Sequence, residues 1–138
     1  MSEENNVAIL KKAYQYWNDN RELAFENWMN LMSEDVKFES IADGAKGMEF
    51  TRRCNCKNDV LGYFQELAAE WEMIHYTVDE YIAQGDRIVA LGNCGWRHRK
   101  TGKEVDTPKA DIIRMKDSKI VDFYEFYDTA KAIAGSQP

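Results

Sequence analysis

The sequence predicts a single α+β domain over residues 1–138, in which three N-terminal helices pack on a strongly curved antiparallel sheet and enclose a pocket. One change in the spacing of apolar residues carries this prediction. Apolar residues recur at three- and four-residue intervals through most of the first 71 residues, which is typical of helices with one buried face. After Met73 the interval becomes two, as in strands. A length of 138 residues with 44% hydrophobic content suits one domain with a sizeable core.

The first half of the chain is predicted to hold three helices and one strand. The first helix ends at residues 18–20 and has one apolar face, formed by Val7, Leu10, Tyr14 and Trp17. The second begins near Glu22 and ends at residues 33–35, and residues 36–41 alternate as a strand does. After a loop over residues 42–57, Asn58 is the expected N-cap of the third helix, whose apolar stripe extends to Trp71.

The second half is predicted to be a meander of long strands joined by short turns. The strands cover residues 74–82, 88–99, 103–115 and 120–127, and Asp128 is the expected cap of a short helix over residues 129–134. Gly92 inside a strand indicates a bend or a close approach, and Pro108 indicates an edge or a bulge. The element order is therefore α-α-β-α-β-β-β-β, with helices segregated to one face of the sheet.

Charge and cysteine content restrict the partners and the compartment. The net charge of −6 argues against nucleic acid and anionic membranes, because both attract basic surfaces. No apolar stretch approaches the length of a membrane span. Three cysteines cannot form a complete disulfide framework, and the spacing of Cys54 and Cys56 does not indicate a zinc site. We therefore expect a cytoplasmic protein with no metal site, although Arg52 or Arg53 would lower the pKa of a neighbouring thiol.

Three segments resemble a known family. They are Arg114-Met115-Lys116-Asp117-Ser118-Lys119-Ile120-Val121, Phe126-Tyr127-Asp128-Thr129-Ala130 and Asp59-Val60-Leu61-Gly62-Tyr63-Phe64. Together with the element order they are similar to the SnoaL-like branch of the nuclear-transport-factor-2-like superfamily. The resemblance implies the cone-shaped fold of ketosteroid isomerases and polyketide cyclases. Ser118 departs from the pattern, because relatives often carry glycine there in a left-handed turn.

Alternation along the last strands places several polar residues on one wall of the pocket. Phe123, Glu125 and Tyr127 share a face of the final strand. If the 116–119 turn carries a one-residue bulge, Asp111 lies opposite Phe123 and Lys109 lies opposite Glu125. A slip of one residue would turn the whole set outward, so the prediction depends on this register.

Roles for three of these residues come from the resemblance and from spacing. Asp111 aligns with the protonated aspartic acid of the ketosteroid isomerase oxyanion hole, and Tyr14 aligns with its tyrosine. Glu125 is the candidate base on spacing alone. The alternatives are that Asp111 pairs with Lys109 or with a backbone amide, that Glu125 pairs with Lys109 or is exposed at the dimer face, and that Tyr14 belongs to the core. The isomerase base aligns with Ser40, so a true ketosteroid isomerase is not expected.

Two functions remain open at this point. One is an isomerase, cyclase or related lyase or hydrolase, which needs no cofactor and acts on a small hydrophobic carbonyl or polycyclic compound. The other is a non-catalytic ligand-binding or dimerisation module. In both, the residues expected to contact the ligand are Trp17, Ser40, Phe64, Cys94, Trp96, Lys109, Phe123 and Tyr127. A homodimer is expected through the outer sheet face, which carries Val89, Leu91 and Phe126.

Overall fold

A computed structural model describes residues 2–138 and has the predicted α+β architecture. Helices precede a five-stranded sheet, and a short helix follows it. The helices are α1 (Glu3–Asn20), α2 (Phe25–Leu31), α3 (Lys57–Glu70) and α4 (Thr129–Ser136), with 3₁₀ turns at Arg21–Ala24 and Glu49–Thr51. The strands are β1 (Met32–Ser40), β2 (Trp71–Gln84), β3 (Arg87–His98), β4 (Glu104–Lys116) and β5 (Lys119–Tyr127).

The sheet has the order β1-β5-β4-β3-β2, so the predicted meander of β2 to β5 is confirmed. The sheet is nevertheless mixed, because β1 pairs with β5 in parallel rather than antiparallel. Alternation along a strand reports which face is buried but contains no information on strand direction, and for this reason the sequence prediction missed the parallel pair. This pairing brings Ser40 opposite Glu125 at the edge of the sheet.

Several element boundaries differ from the prediction: α2 begins at Phe25 after a 3₁₀ turn, and Trp71 begins β2 instead of extending α3. Residues 33–35 belong to β1 and do not end α2, which shows that their polar character reflects strand exposure. The N-cap of α3 is Cys56, in extended conformation and without a side-chain cap bond, rather than Asn58. The Asp59 carboxylate accepts a hydrogen bond from the Asn55 backbone N–H at 3.0 Å, so a residue inside the helix organises the chain that leads into it.

The turn between β4 and β5 sets the register of the candidate site. Asp117 and Ser118 have φ values of 51° and 64°, which confirms the left-handed conformation expected at Ser118. Met115 pairs with Ile120, but Arg114 pairs with Asp122, so Val121 is the extra residue of a bulge. The bulge thus lies on β5, and the observed pairs are Asp111↔Glu125, Lys109↔Tyr127 and Ile113↔Phe123.

The predicted pairs were therefore two residues out of register, because they assumed the extra residue on β4. A shift of two residues leaves every side chain on the same face of the sheet, so the residues predicted to share one face still do so. Pro108 lies one residue beyond the last β4–β5 pair and has a strand neighbour only in β3, which agrees with an edge position. A Cβ at Gly92 would lie 1.8 Å from the Thr77 carbonyl oxygen, so this glycine permits the close approach of β2, which is one of the two roles expected for it.

The ends of the chain agree with the sequence prediction where the structure describes them. The Asp128 carboxylate accepts a hydrogen bond from the Lys131 backbone N–H at 3.1 Å and caps α4. None of the helices within residues 2–138 combines the length and the apolar character that a membrane span requires.

Candidate functional site

A cavity of about 90 Å³ lies between the helices and the concave face of the sheet. Its wall is mostly aromatic, and the rings that contribute are Tyr14, Trp17, Trp28, Phe38, Phe50, Tyr63, Phe64, Trp71, Tyr76, Trp96, Phe123 and Tyr127. Charged side chains reach the same wall only at Lys109 and Glu125 among the residues described. The cavity is thus an apolar chamber with a charged group at one place, which is the usual composition of a small-molecule site.

Lys109 is an ammonium group held between two carboxylates. Its Nζ donates to Asp111 Oδ1 at 2.5 Å and to Glu125 Oε2 at 3.1 Å. The exposed fractions of the Lys109, Asp111 and Glu125 side chains are 8%, 1% and 9%. Ionised groups leave water at a large free-energy cost, so such a cluster requires these mutual contacts to persist in the interior.

Three tyrosine hydroxyls complete the cluster. Tyr14 and Tyr76 both donate to Asp111 Oδ2, at 2.6 Å and 2.7 Å, and Tyr63 donates to Glu125 Oε1. Asp111 therefore accepts three hydrogen bonds and Glu125 accepts two. Every carboxylate oxygen in the cluster has a protein donor, which is the condition for a buried charge to be tolerated.

The fold explains why these residues meet. Asp111 and Glu125 are directly paired across β4 and β5, and Lys109 points to the same face because it lies two residues from Asp111. The tyrosines come from other elements. Tyr14 lies on the apolar face of α1 and Tyr63 lies on the buried face of α3. The cluster thus joins strands and helices that are far apart in sequence.

Burial and charge set the protonation of these groups. Burial alone would lower the pKa of Lys109, but the charges of Asp111 and Glu125 outweigh it and raise the pKa above its ordinary value. Lys109 is therefore an ammonium at neutral pH and acts as a hydrogen-bond donor rather than a nucleophile. Burial, followed by the neighbouring carboxylate, raises the pKa of Tyr14, Tyr63 and Tyr76 well above the ordinary value, so each remains a neutral phenol.

One donor of Lys109 remains for a ligand. A lysine ammonium has three N–H groups, and two of them bind Asp111 and Glu125. The nitrogen also lies 5.2 Å from the centre of the Tyr76 ring and 6.0 Å from that of Tyr127, within the range of cation–π attraction. A ligand oxygen in the cavity would thus meet a charged donor whose position is fixed on several sides.

The predicted site residues fall into two groups. Most of them line the cavity, namely Tyr14, Trp17, Phe64, Cys94, Trp96, Lys109, Phe123, Glu125 and Tyr127. Asp111 and Ser40 are buried but do not line it. Ser40 Oγ lies 2.7 Å from the Tyr127 hydroxyl oxygen and supports that side chain from behind. Asp111 supports Lys109 in the same way, as one of the alternatives in the sequence analysis anticipated.

Tyr63 and Tyr76 were not predicted from the sequence as site residues. Both occupy positions that the apolar spacing of a helix or a strand explains fully, and their rings do pack in the core. Only the hydroxyl contacts with Glu125 and Asp111 distinguish them from other core aromatics. Since these contacts link residues 62 and 35 positions apart, no local pattern could have revealed them.

Cys54 is buried at the end of the loop that precedes α3. Burial raises the pKa of Cys54 to about 12 and outweighs Arg52, which lowers it as expected, so this thiol is not activated. Cys54 instead pairs with Phe38 in an isolated β-bridge. Among the described residues, no three His, Cys, Asp or Glu side chains converge in a way that could hold a metal ion.

Comparison with known proteins identifies the family. The SnoaL-like domain matches residues 10–123, and the chain therefore belongs to the SnoaL-like domain family. No curated protein sequence matches the chain significantly.

Solved structures share the fold at low sequence identity. An NTF2-like protein of unknown function from Burkholderia pseudomallei is 21% identical, with 100% of both chains covered and a TM-score of 0.84. A protein with a ketosteroid isomerase-like fold from Catenulispora acidiphila, in complex with trimethylamine, is 18% identical, with 93% of this chain and 91% of that chain covered and a TM-score of 0.74. A candidate SnoaL-like polyketide cyclase from Mesorhizobium loti is 14% identical, with 88% and 97% covered and a TM-score of 0.71.

Replacing Lys109 tests the role of the shared ammonium in stability. We expect Lys109→Met to lower the free energy of unfolding by about 3–5 kcal/mol near neutral pH, because two buried carboxylates lose their common partner. Urea denaturation measures the change. The matched control is Lys119→Met, since the Lys119 side chain is exposed and binds only the Asn30 carbonyl oxygen. A loss below about 1 kcal/mol, the range of surface ion pairs, would contradict this role.

Alkaline pH tests the buried phenols. The pKa values of Tyr14, Tyr63, Tyr76 and Lys109 are raised in the folded protein. The stability that these groups contribute is therefore complete below their unfolded pKa values near 10, and it is lost as pH rises above those values. Above that pH, each group lowers the free energy of unfolding by about 1.4 kcal/mol per pH unit. In urea titrations between about pH 10 and 12, Tyr63→Phe should reduce this slope by the contribution of one group. Phe64→Leu should lower stability without changing the slope, and equal slopes in both variants would contradict the prediction.

Proposed function

We propose that the protein is an acid/base enzyme, of the isomerase, cyclase or related lyase and hydrolase type, that acts on a small and mostly apolar carbonyl compound. The observation that carries this proposal is the Lys109–Glu125 pair on the wall of an aromatic cavity. Buried charged clusters contribute little to stability compared with apolar packing, and they concentrate at functional sites. Membership of the SnoaL-like family agrees with the proposal but does not define the reaction.

In this proposal Lys109 binds the carbonyl oxygen of the substrate. Its third N–H is the donor, and the contacts with Asp111 and Glu125 hold it in place before the substrate arrives. Negative charge that develops on the oxygen during proton removal is stabilised by a preorganised cation in a site with little water. Asp111 then has a positioning role, in contrast to the donor role that the resemblance implied.

Glu125 is the proposed base. It lines the cavity, and its two oxygens are fixed by Tyr63 and Lys109, so the carboxylate has one orientation. The carboxylate would take a proton from the carbon next to the carbonyl group and return it to the same or another carbon. Proton transfer by a positioned side chain commonly contributes about 10²–10⁴-fold to a rate.

The size of the cavity favours a small substrate over a polycyclic one. A single water needs roughly 10–15 Å³, so about 90 Å³ accommodates only a compact molecule. The complex of the Catenulispora protein with trimethylamine shows that a relative of this fold binds a ligand of that size.

Non-catalytic ligand binding is the second candidate function. It is favoured by the position of Asp111, which is bound by Lys109, Tyr14 and Tyr76 and does not line the cavity. In that case the cluster would serve only to orient a ligand oxygen.

Proton exchange in D₂O distinguishes the two functions without knowledge of the natural substrate. Acetone and cyclopentanone are incubated with the protein, and NMR follows loss of the hydrogens next to the carbonyl group. We expect exchange by the wild type, and a loss of about 10²-fold or more in Glu125→Gln, which removes the base but keeps the size of the side chain. Glu34→Gln is the control, because the Glu34 side chain is 91% exposed.

Binding of the same ketones is measured by saturation-transfer NMR. Binding with no exchange by the wild type would favour the non-catalytic function. No binding of either ketone, together with no exchange, would contradict both candidates.

We also propose that the protein forms a homodimer through its outer sheet face and resides in the cytoplasm. Val89, Leu91 and Phe126 are partly exposed on the face opposite the cavity. The Tyr124 and Phe126 rings stack there with centroids 4.5 Å apart. Apolar patches of this kind usually mark contact surfaces. The free cysteines, of which Cys54 and Cys94 are buried, are consistent with a reducing compartment.

Light scattering at micromolar concentration tests the dimer. We expect twice the mass of the chain, and we expect Phe126→Lys to yield the monomer, because a charge cannot be buried unpaired at the centre of an apolar interface. Leu61→Lys, on the exposed face of α3, should leave the dimer intact. A monomeric wild type would overturn this proposal.

A further inference from the structure

The cavity is closed on one side by α4. Ala132 of this helix lines the cavity together with Trp71 and Val105 of the sheet. The contact is close, because a Cβ at Gly135 would lie 2.4 Å from Val105 Cγ2 and 3.2 Å from the Trp71 ring. With α4 in place, the groups that a ligand would reach are enclosed: Cys94 is 1% exposed and the Lys109 side chain is 8% exposed.

Helix α4 buries much less apolar surface against the rest of the protein than α1 and α3 do. The fully buried residues of α4 are Ala132 and Gly135, which are among the smallest residues, and the only large side chain that it packs against the core, Ile133, is partly buried. By contrast, α1 buries Leu10, Tyr14 and Trp17, and α3 buries four large side chains. Because the free energy of burial scales with apolar area, α4 is the helix whose separation from the sheet costs least.

Hydrogen bonds fix α4 near its two ends. At the start, the Asp128 backbone N–H donates to Thr107 Oγ1 at 2.8 Å, while the Asp128 side chain caps the helix. At the end, Thr101 Oγ1 donates to the Gly135 carbonyl oxygen at 2.7 Å. The Lys131 side chain adds one bond, to the Asp106 carbonyl oxygen. These contacts are to exposed or partly buried groups, which exchange readily with water.

We propose that α4 is a lid that opens to admit the ligand and closes over it. The segment at Asp128, between β5 and the helix, is the hinge. Opening of α4 uncovers Val105, Trp71 and the path to Cys94 and Lys109. This inference concerns access to the cavity and goes beyond the proposed function, since it holds for a substrate and for a non-catalytic ligand alike.

Cys94 reports the opening without any ligand. The wild-type protein is treated with N-ethylmaleimide under native conditions, and mass spectrometry of peptides follows the labelling of each cysteine. Cys54 is the internal control, because it is buried but does not line the cavity. Labelling through global unfolding would modify both at the same rate, whereas lid opening exposes Cys94 alone.

Two variants with matched controls identify α4 as the element that moves. Asp128→Ala removes the cap of α4, and Ser2→Ala removes the equivalent cap of α1. Gly135→Ala forces α4 away from Val105, whereas Gly62→Ala adds a methyl group to α3 with no atom within 4 Å. We expect both α4 variants to accelerate Cys94 labelling by about 2- to 30-fold, the range that the loss of an N-cap implies. In the two control variants, the ratio of the Cys94 labelling rate to the Cys54 labelling rate should equal that of the wild type.

The outcomes decide the proposal independently of any catalytic assay. Faster labelling of Cys94 than Cys54, with acceleration in Asp128→Ala and Gly135→Ala, supports the lid. Equal rates for Cys94 and Cys54 would overturn it, because the cavity would then open only when the whole domain unfolds. Fast Cys94 labelling that neither α4 variant changes would also overturn it, since entry would occur elsewhere.

Discussion

The arrangement of the interior depends on the two ion pairs that the Lys109 ammonium forms with Asp111 and Glu125. Two neighbouring strands each contribute a carboxylate, and neither could remain charged in the interior without the cation between them. The tyrosines that complete the hydrogen bonding come from α1, α3 and β2. The polar cluster therefore fixes the positions of the surrounding elements relative to one another, while the aromatic packing supplies most of the burial.

Local patterns were sufficient to predict the elements and the class of fold. Helical spacing located α1 and α3, and alternation located β2 to β5, because both signals arise from one buried face of each element. The parallel direction of β1 and the start of α3 were not predicted. Each depends on contacts with residues elsewhere in the chain, such as the pairing of Phe38 with Phe123.

The site was predictable to a similar extent. Lys109, Asp111, Glu125 and Tyr127 were predicted to share one face of the sheet, and they do so because the assumed register differed from the observed one by two residues, although Asp111 lies behind Lys109 and does not line the cavity. The function of Asp111 within the wall was not predictable from the residues. Whether a carboxylate faces a ligand or supports a lysine depends on side-chain directions, and the tyrosines that bind it lie on elements that the sequence explains as core.

The bulge at Val121 has a consequence for how related sequences should be compared. If Val121 paired with Arg114 and formed no bulge, the tight turn at residues 117–118 would pair Asp111 with Tyr124, and Glu125 would face the opposite side of the sheet. Deletion of Val121 would leave Asp111 opposite Glu125, because it removes only the unpaired residue, whereas loss of the bulge with Val121 retained would exchange the lining of the chamber for its outer surface. An alignment that misplaces one gap near position 121 would assign chamber residues to the exterior, so the gap position matters more here than residue identity.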